Sequence, residues 1–121
     1  MIIRNKSGIW GEIYAARYLR DMGCEILASN FRSRFGEADL VASIDGRMLV
    51  VEVKTRDENT DIRPMEAVDR GKKERLIKTA EVFMKAAGID SLQPRFDVCE
   101  VWLGADYKPA KINYIENAFE T

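Results

Sequence analysis

Two acidic residues and a lysine form the spacing in this chain that is most suggestive of chemistry. Asp39 lies in Gly36-Glu37-Ala38-Asp39-Leu40-Val41, and Glu52 and Lys54 lie in Leu49-Val50-Val51-Glu52-Val53-Lys54. Between the runs stands Ile44-Asp45-Gly46-Arg47, and Asp-Gly between apolar stretches is a strong hairpin signal. Closing the hairpin there sets Asp39 opposite Glu52 and Glu37 opposite Lys54. Like charges directly across a strand pair destabilise it, and carboxylates that share a site push a pKa up unless a cation separates them. A divalent metal resolves that conflict.

Glu52 and Lys54, two apart on one strand, share a face, while Val51 and Val53 point to the other. Asp39, Glu52 and the backbone carbonyl of Val53 are therefore candidate ligands of one ion. Such an ion acidifies water and stabilises charge on a phosphate. Lys54 would orient the attacking water or neutralise the developing charge. The competing reading is an exposed hairpin with ordinary cross-strand ion pairs, such as Glu37 with Lys54. Against it stands the apolar company of Leu40-Val41 and Leu49-Val50-Val51, where three charges need a reason.

The 121 residues contain no histidine. That removes Ser-His-Asp triads, histidine acid–base pairs and most zinc sites, and leaves oxygen ligands, which favour magnesium, manganese or calcium. Cys24 and Cys99 belong to no ligand-spaced motif and read as buried free thiols of a reducing compartment. The length fits one domain, 1–121. With 46% hydrophobic and 32% charged residues, the composition is that of a globular chain. No apolar run has membrane-spanning length and no secretory leader is legible, so the expected location is the cytoplasm, with no membrane partner. A net charge of −1 argues against a wholly basic nucleic-acid coat but leaves room for a local basic patch.

The elements that must position these residues follow from periodicity and punctuation. Ser7 is a candidate N-cap for a first helix ending near Gly23. Strands are expected over 25–31, 37–43, 48–55, 95–103 and 111–115, with a charged loop over 56–63. Asp69 reads as the cap of a second helix running to about Ala87 and stopping at Gly88, with Leu76, Ala80, Phe83 and Ala87 as its buried face. The order αβββαββ predicts an α/β fold with a mixed sheet flanked by helices.

On a wheel of the first helix, Lys6, Arg17 and Arg20 cluster, while Glu12 falls between Leu19 and Ala16, near Ile9. Two readings fit Glu12: a first-turn acid favoured by the helix dipole, and a third carboxylate reaching over the sheet toward the metal. In the second helix Arg70, Lys72, Lys73, Arg75 and Lys78 stand against Glu74 alone. This run is either a solvated face or a phosphate-contacting surface that Arg32, Arg34 and Arg56 would extend. Asp97 interrupts an apolar strand and reads as a structural acid. Trp10, Trp102 and Phe119 read as core or interface residues.

The Glu12 helix, Gly36-Glu37-x-Asp39-Leu40-Val41, Val51-Glu52-Val53-Lys54-x-Arg56, Val68-x(3)-Lys72-x(2)-Arg75-Leu76 and Arg95-Phe96-Asp97-Val98 together resemble the YraN-like family of small bacterial proteins, from about Gly8 to Phe119. That family is similar to Holliday junction resolvases and, more broadly, to PD-(D/E)XK nucleases; Ala38 stands where the superfamily name would put proline. The resemblance implies a restriction-endonuclease-like fold and Mg²⁺- or Mn²⁺-dependent hydrolysis of DNA, branched DNA included, in repair or recombination. It makes Asp39 and Glu52 metal ligands, Lys54 the catalytic lysine and Glu12 the helix acid that completes the site. It also brings Lys72 and Arg75 close to the site or the nucleic acid. Junction resolvases act as dimers, so a homodimer is the analogous expectation. The alternative function is a non-catalytic nucleic-acid-binding or partner-binding module that keeps the fold.

Overall fold

Asn5, rather than Ser7, starts the first helix. Its side chain accepts a hydrogen bond from the Gly8 N–H at 2.7 Å, satisfying one of the amides that a helix start leaves unpaired. Both residue types cap well, so spacing alone did not separate them. The protein, seen in a computed structural model that describes residues 5–59, 69–89 and 91–119, places α1 at Lys6–Asp21 and leaves it through Gly23 at φ +99°. The second helix, α2, spans Arg70–Ala87. Asp69 accepts from the Lys72 N–H at 2.9 Å, and Gly88 ends the helix in the left-handed conformation, as expected. Leu76, Ala80, Phe83 and Met84 are its buried face, Met84 taking the place expected for Ala87, which is exposed.

Five strands complete the order αβββαββ: β1 Glu25–Ser33, β2 Gly36–Ile44, β3 Arg47–Asp57, β4 Pro94–Leu103 and β5 Pro109–Phe119, the last two joined by a 3₁₀ turn over Ala105–Tyr107. They form one sheet in the order β1-β2-β3-β4-β5, antiparallel throughout except for β3 and β4, which run parallel. Parallel neighbours need a crossover, and the connection that contains α2 provides it. The charged loop expected over 56–63 is displaced: Arg56 and Asp57 extend β3, while 60–63, like Val68, lie outside the described residues. The last strand is longer at both ends than 111–115.

Each helix covers one face. Ala15, Ala16 and Leu19 of α1 pack on Leu40, Ala42, Leu49, Val51, Cys99, Val101 and Leu103. Leu76, Ala80, Phe83 and Met84 of α2 pack on Ala38, Val41, Met48, Val50, Phe96 and Phe119. Both cysteines are buried and free, and burial pushes the Cys99 thiol up to about 12, so it stays protonated and unreactive. No helix among the described residues is long and apolar enough to cross a membrane.

Asp97 is the structural acid expected of it. Its carboxylate is 1% exposed and accepts from Arg95 Nε and Nη2 (both 2.9 Å), the Tyr114 hydroxyl (2.6 Å) and the Asn117 N–H (2.8 Å). A buried charge with all its partners in place costs little, and it pins β5 to β4 where their register shifts.

α1 lies close against β3 at Gly11, where a Cβ would fall onto Thr55 Oγ1 and lie 3.1 Å from Thr55 Cβ, an atom that rotation cannot move away. Alanine in a helix interior normally gains about 1 kcal/mol over glycine. Here Gly11→Ala is expected to lose about 1–3 kcal/mol through overpacking, measured by denaturant unfolding; a gain would contradict the close approach.

Candidate metal and phosphate site at the fork of the sheet

The Asp45-Gly46 turn forms as the dipeptide demands, with both residues at positive φ (50° and 75°), and it sets the expected register. Ile44 pairs with Arg47, Ser43 with Met48, Ala42 with Leu49, Val41 with Val50 and Leu40 with Val51. There the pairing stops. Beyond it β3 keeps only its pairing with β4, which runs from Met48 with Pro94 to Asp57 with Leu103, while β2 before Leu40 keeps only β1, Ala38 pairing with Phe31 and Glu37 with Arg32. Asp39 is therefore not a ladder partner of Glu52, nor Glu37 of Lys54; the hairpin forks one step earlier. Glu37 ion-pairs with Arg32 instead, at 3.6 Å.

The fork has a local cause. Residues two apart on a strand share a face, yet Ala38 packs under α2 and Leu40 under α1. The chain rolls over at Asp39, and β1 rolls with it at Asn30, whose φ is +54°. Parting the strands leaves the Val53 N–H without a carbonyl from β2, and Asp39 Oδ2 accepts it at 2.8 Å. On a strand, the N–H and C=O of one residue point toward the same neighbour, so the Val53 carbonyl faces the opening too.

Glu52, 9% exposed, points under α2. Its Oε1 meets Lys72 Nζ at 2.5 Å and Lys54 Nζ at 3.9 Å. The electrostatic conflict read from the sequence is present. Burial first, then the charge of Glu52, pushes the Asp39 carboxyl from 3.8 up to about 7, against the pull of the Val53 N–H, and the charge of Glu12 adds to the push. Burial and the neighbouring Lys72 ammonium lower the Lys54 pKa. Burial would lower that of Lys72 as well, but its hydrogen bond to Glu52 and the charge of Glu52 outweigh it and hold it raised.

The resemblance brings Lys72 close to the site or the nucleic acid, and it lies at the site, directly on Glu52. A signal was present: Arg70, Lys72 and Lys73 stand in the first turn of α2, against the helix dipole, with no acid there. Arg75 and Arg34 are exposed. Arg34 lies 4.8 Å and Lys78 5.3 Å from the centre of the Phe35 ring, and a Cβ added at Gly36 would lie 3.6 Å from Arg75 Cβ. These cations gather where the β1–β2 turn meets α2, at the end of β2 that leads into Asp39.

Arg56 is a correction. It is 7% exposed, donates from Nε to Glu100 Oε2 at 2.9 Å, and lies 5.9 Å from the centre of the Trp102 ring, so it braces β3 against β4 instead of facing a phosphate. Its partner is 44 residues away on a different strand, which spacing cannot reveal. Glu12, whose charge reaches Asp39, lines a groove with Ile9, Ile13, Ala16, Arg20 and Ile26, so Arg20 shares its side of α1 although the wheel had separated them.

The chain matches the model of the uncharacterised protein family UPF0102 over residues 11–101. This protein belongs to that family. It is 41% identical over 113 residues to a UPF0102 protein of Caldanaerobacter subterraneus subsp. tengcongensis, covering 93% of each chain. To one of Syntrophomonas wolfei it is 44% identical over 112 residues, covering 93% of this chain and 96% of that one. To one of Porphyromonas gingivalis it is 41% identical over 119 residues, covering 98% and 87%. The resemblance to YraN-like proteins is thus borne out along nearly the whole chain.

Among the described residues of this UPF0102 protein, no three His, Cys, Asp or Glu side chains stand close enough to hold one ion. Glu12 therefore does not close a three-acid cluster with Asp39 and Glu52. Two hard carboxylates, a main-chain carbonyl facing the same opening and room for water still suit Mg²⁺ or Mn²⁺, since magnesium is commonly held by one or two carboxylates and keeps several waters.

A carboxyl raised from 3.8 to about 7 on folding binds more protons folded than unfolded between those values, so its contribution to stability is greatest below pH 4 and falls as pH rises toward 7. Relative to Asp39→Asn, the wild-type protein is expected to lose stability across that window, measured by urea unfolding at stepped pH. A constant difference between the two would contradict the buried, conflicted carboxyl.

Proposed function

We propose that this UPF0102 protein is a nuclease that uses Mg²⁺ or Mn²⁺ to hydrolyse DNA phosphodiester bonds, with branched DNA as its substrate class and the cytoplasm as its place of work. The observation that carries the reading is the pairing of half-buried Asp39 with buried Glu52 at the fork, with Lys54 and Lys72 on the Glu52 carboxylate. Asp39, Glu52 and the Val53 carbonyl would hold the ion, which supplies concentrated positive charge to a phosphate and acidifies water. Asp39 is already fixed by the Val53 N–H, so the carboxylate needs little reorganisation to act. Lys54 stands beside Glu52 on a rigid strand, placed to orient water and to neutralise charge growing on the phosphate. Arg75, Arg34 and Lys78 supply sequence-independent contacts to the phosphate backbone.

A second reading is favoured by one observation. Lys72 already neutralises Glu52, as a site retained for binding without catalysis would allow. Four-way junctions, single strands and duplexes incubated with Mg²⁺ or Mn²⁺ separate the two. Cleavage is expected, falling about 100-fold or more in Asp39→Asn, Glu52→Gln and Lys54→Ala, since each removes stabilisation used in the transition state. Salt-dependent binding with no cleavage under either metal would favour the non-catalytic module. Cleavage unchanged in Asp39→Asn would overturn the site.

A further inference from the structure

We propose that Lys72 is an internal stand-in for the metal: its ammonium pairs with Glu52 and must leave that carboxylate before a divalent cation can use it. Once displaced, it turns toward a nucleic acid phosphate. The inference rests on the proposed metal site and adds a residue with two alternative partners.

Both lysines address one oxygen, Glu52 Oε1, but Lys72 Nζ is far closer, at 2.5 Å against 3.9 Å for Lys54. The side chain of Glu52 is 11% exposed, so an ion entering there finds its ligand already in use. The two lysines differ in their hold on that oxygen. Lys54, two residues from Glu52 on β3, has a side chain 39% exposed and an equally flexible stem, but at 3.9 Å it leaves the oxygen open to another partner. Lys72 comes from α2 with a side chain 32% exposed, and its four-carbon stem lets the ammonium swing out without backbone movement.

Its position also favours departure. Lys72 sits in the first turn of α2, three residues after the cap Asp69, where the amide ends of the helix repel a cation. Arg70 and Lys73 beside it add to the repulsion, and Arg70 is drawn off to Glu74 at 3.4 Å. The pull of Glu52 is what holds the Lys72 ammonium inward. Asp39 and Glu52 together with Lys54 and Lys72 carry no net charge, so a divalent cation added to all four leaves two positive charges in surplus. Releasing Lys72 removes one, and a phosphate at the opening removes the other. Metal and phosphate would then bind more tightly together than separately, a coupling that linkage makes reciprocal.

Calorimetric titration of the folded, full chain with MnCl₂, without nucleic acid, tests the first half. Lys72→Met is expected to bind Mn²⁺ about tenfold or more tighter than wild type, Lys72→Arg to stay near wild type because it keeps the competing charge, and Asp39→Asn to lose binding. Circular dichroism checks that each variant is folded, and Lys72→Ala replaces Lys72→Met should the latter not fold. Equal or weaker Mn²⁺ binding in the uncharged variant, with Asp39→Asn still defective, overturns the stand-in while leaving the metal site in place. No Mn²⁺ binding by any variant overturns both. The second half is read from a short duplex oligonucleotide titrated with and without Ca²⁺. Wild type is expected to gain affinity from Ca²⁺ and Lys72→Met to lose most of that gain; an undiminished gain contradicts the link to phosphate.

Discussion

The parting of β2 from β3 after the Leu40–Val51 pair is the constraint on which the rest of the site depends. A hairpin that continued in register would set Asp39 and Glu52 side by side on one face with every main-chain amide satisfied by the partner strand. The strands separate instead, and the Val53 N–H is taken by the Asp39 carboxylate. A buried amide left unpaired costs about 1–3 kcal/mol, so the side chain performs the duty that a strand carbonyl would have had. In doing so it is fixed at the mouth of the fork. Both sheet faces stay packed, since the chain rolls over at Asp39 and sends Ala38 and Leu40 to opposite helices.

From that geometry the electrostatics follow. Glu52 lies under α2 and is buried, Asp39 is held close to it, and burial together with the neighbouring charge drives the Asp39 carboxyl upward. Lys72 relieves Glu52 but leaves Asp39 in conflict. Asp39 is thus left a destabilised acid, which the proposed cation would relieve. The contrast with Asp97 sharpens the point. That carboxylate is more deeply buried, yet four donor groups surround it and it is bound wholly to its own strands.

How much of this was legible in the sequence depended on how local the cause was. Asp45-Gly46 dictated the turn, and the turn dictated five pairs of register. Asp69 and Gly88 marked the ends of α2 because their roles lie within four residues of themselves. The fork was not legible: nothing in Ala38-Asp39-Leu40 breaks the expected alternation, and the left-handed Asn30 that accompanies the roll lies on another strand. Arg56 was misplaced for a related reason. A charged residue in a charged stretch reads as exposed, and only the fold brings Glu100 to its side. Lys72 falls between these cases, since its unfavourable place in a helix's first turn signalled a strong partner without naming it.

The most direct test of the account is a crystal of the protein grown with Mn²⁺, with anomalous scattering used to locate the ion. The account predicts one strong peak at the fork, within about 2.0–2.3 Å of oxygens from Asp39 and Glu52, with the Lys72 ammonium displaced from Glu52. A fork without manganese at millimolar concentration, with Lys72 still on Glu52, would contradict it.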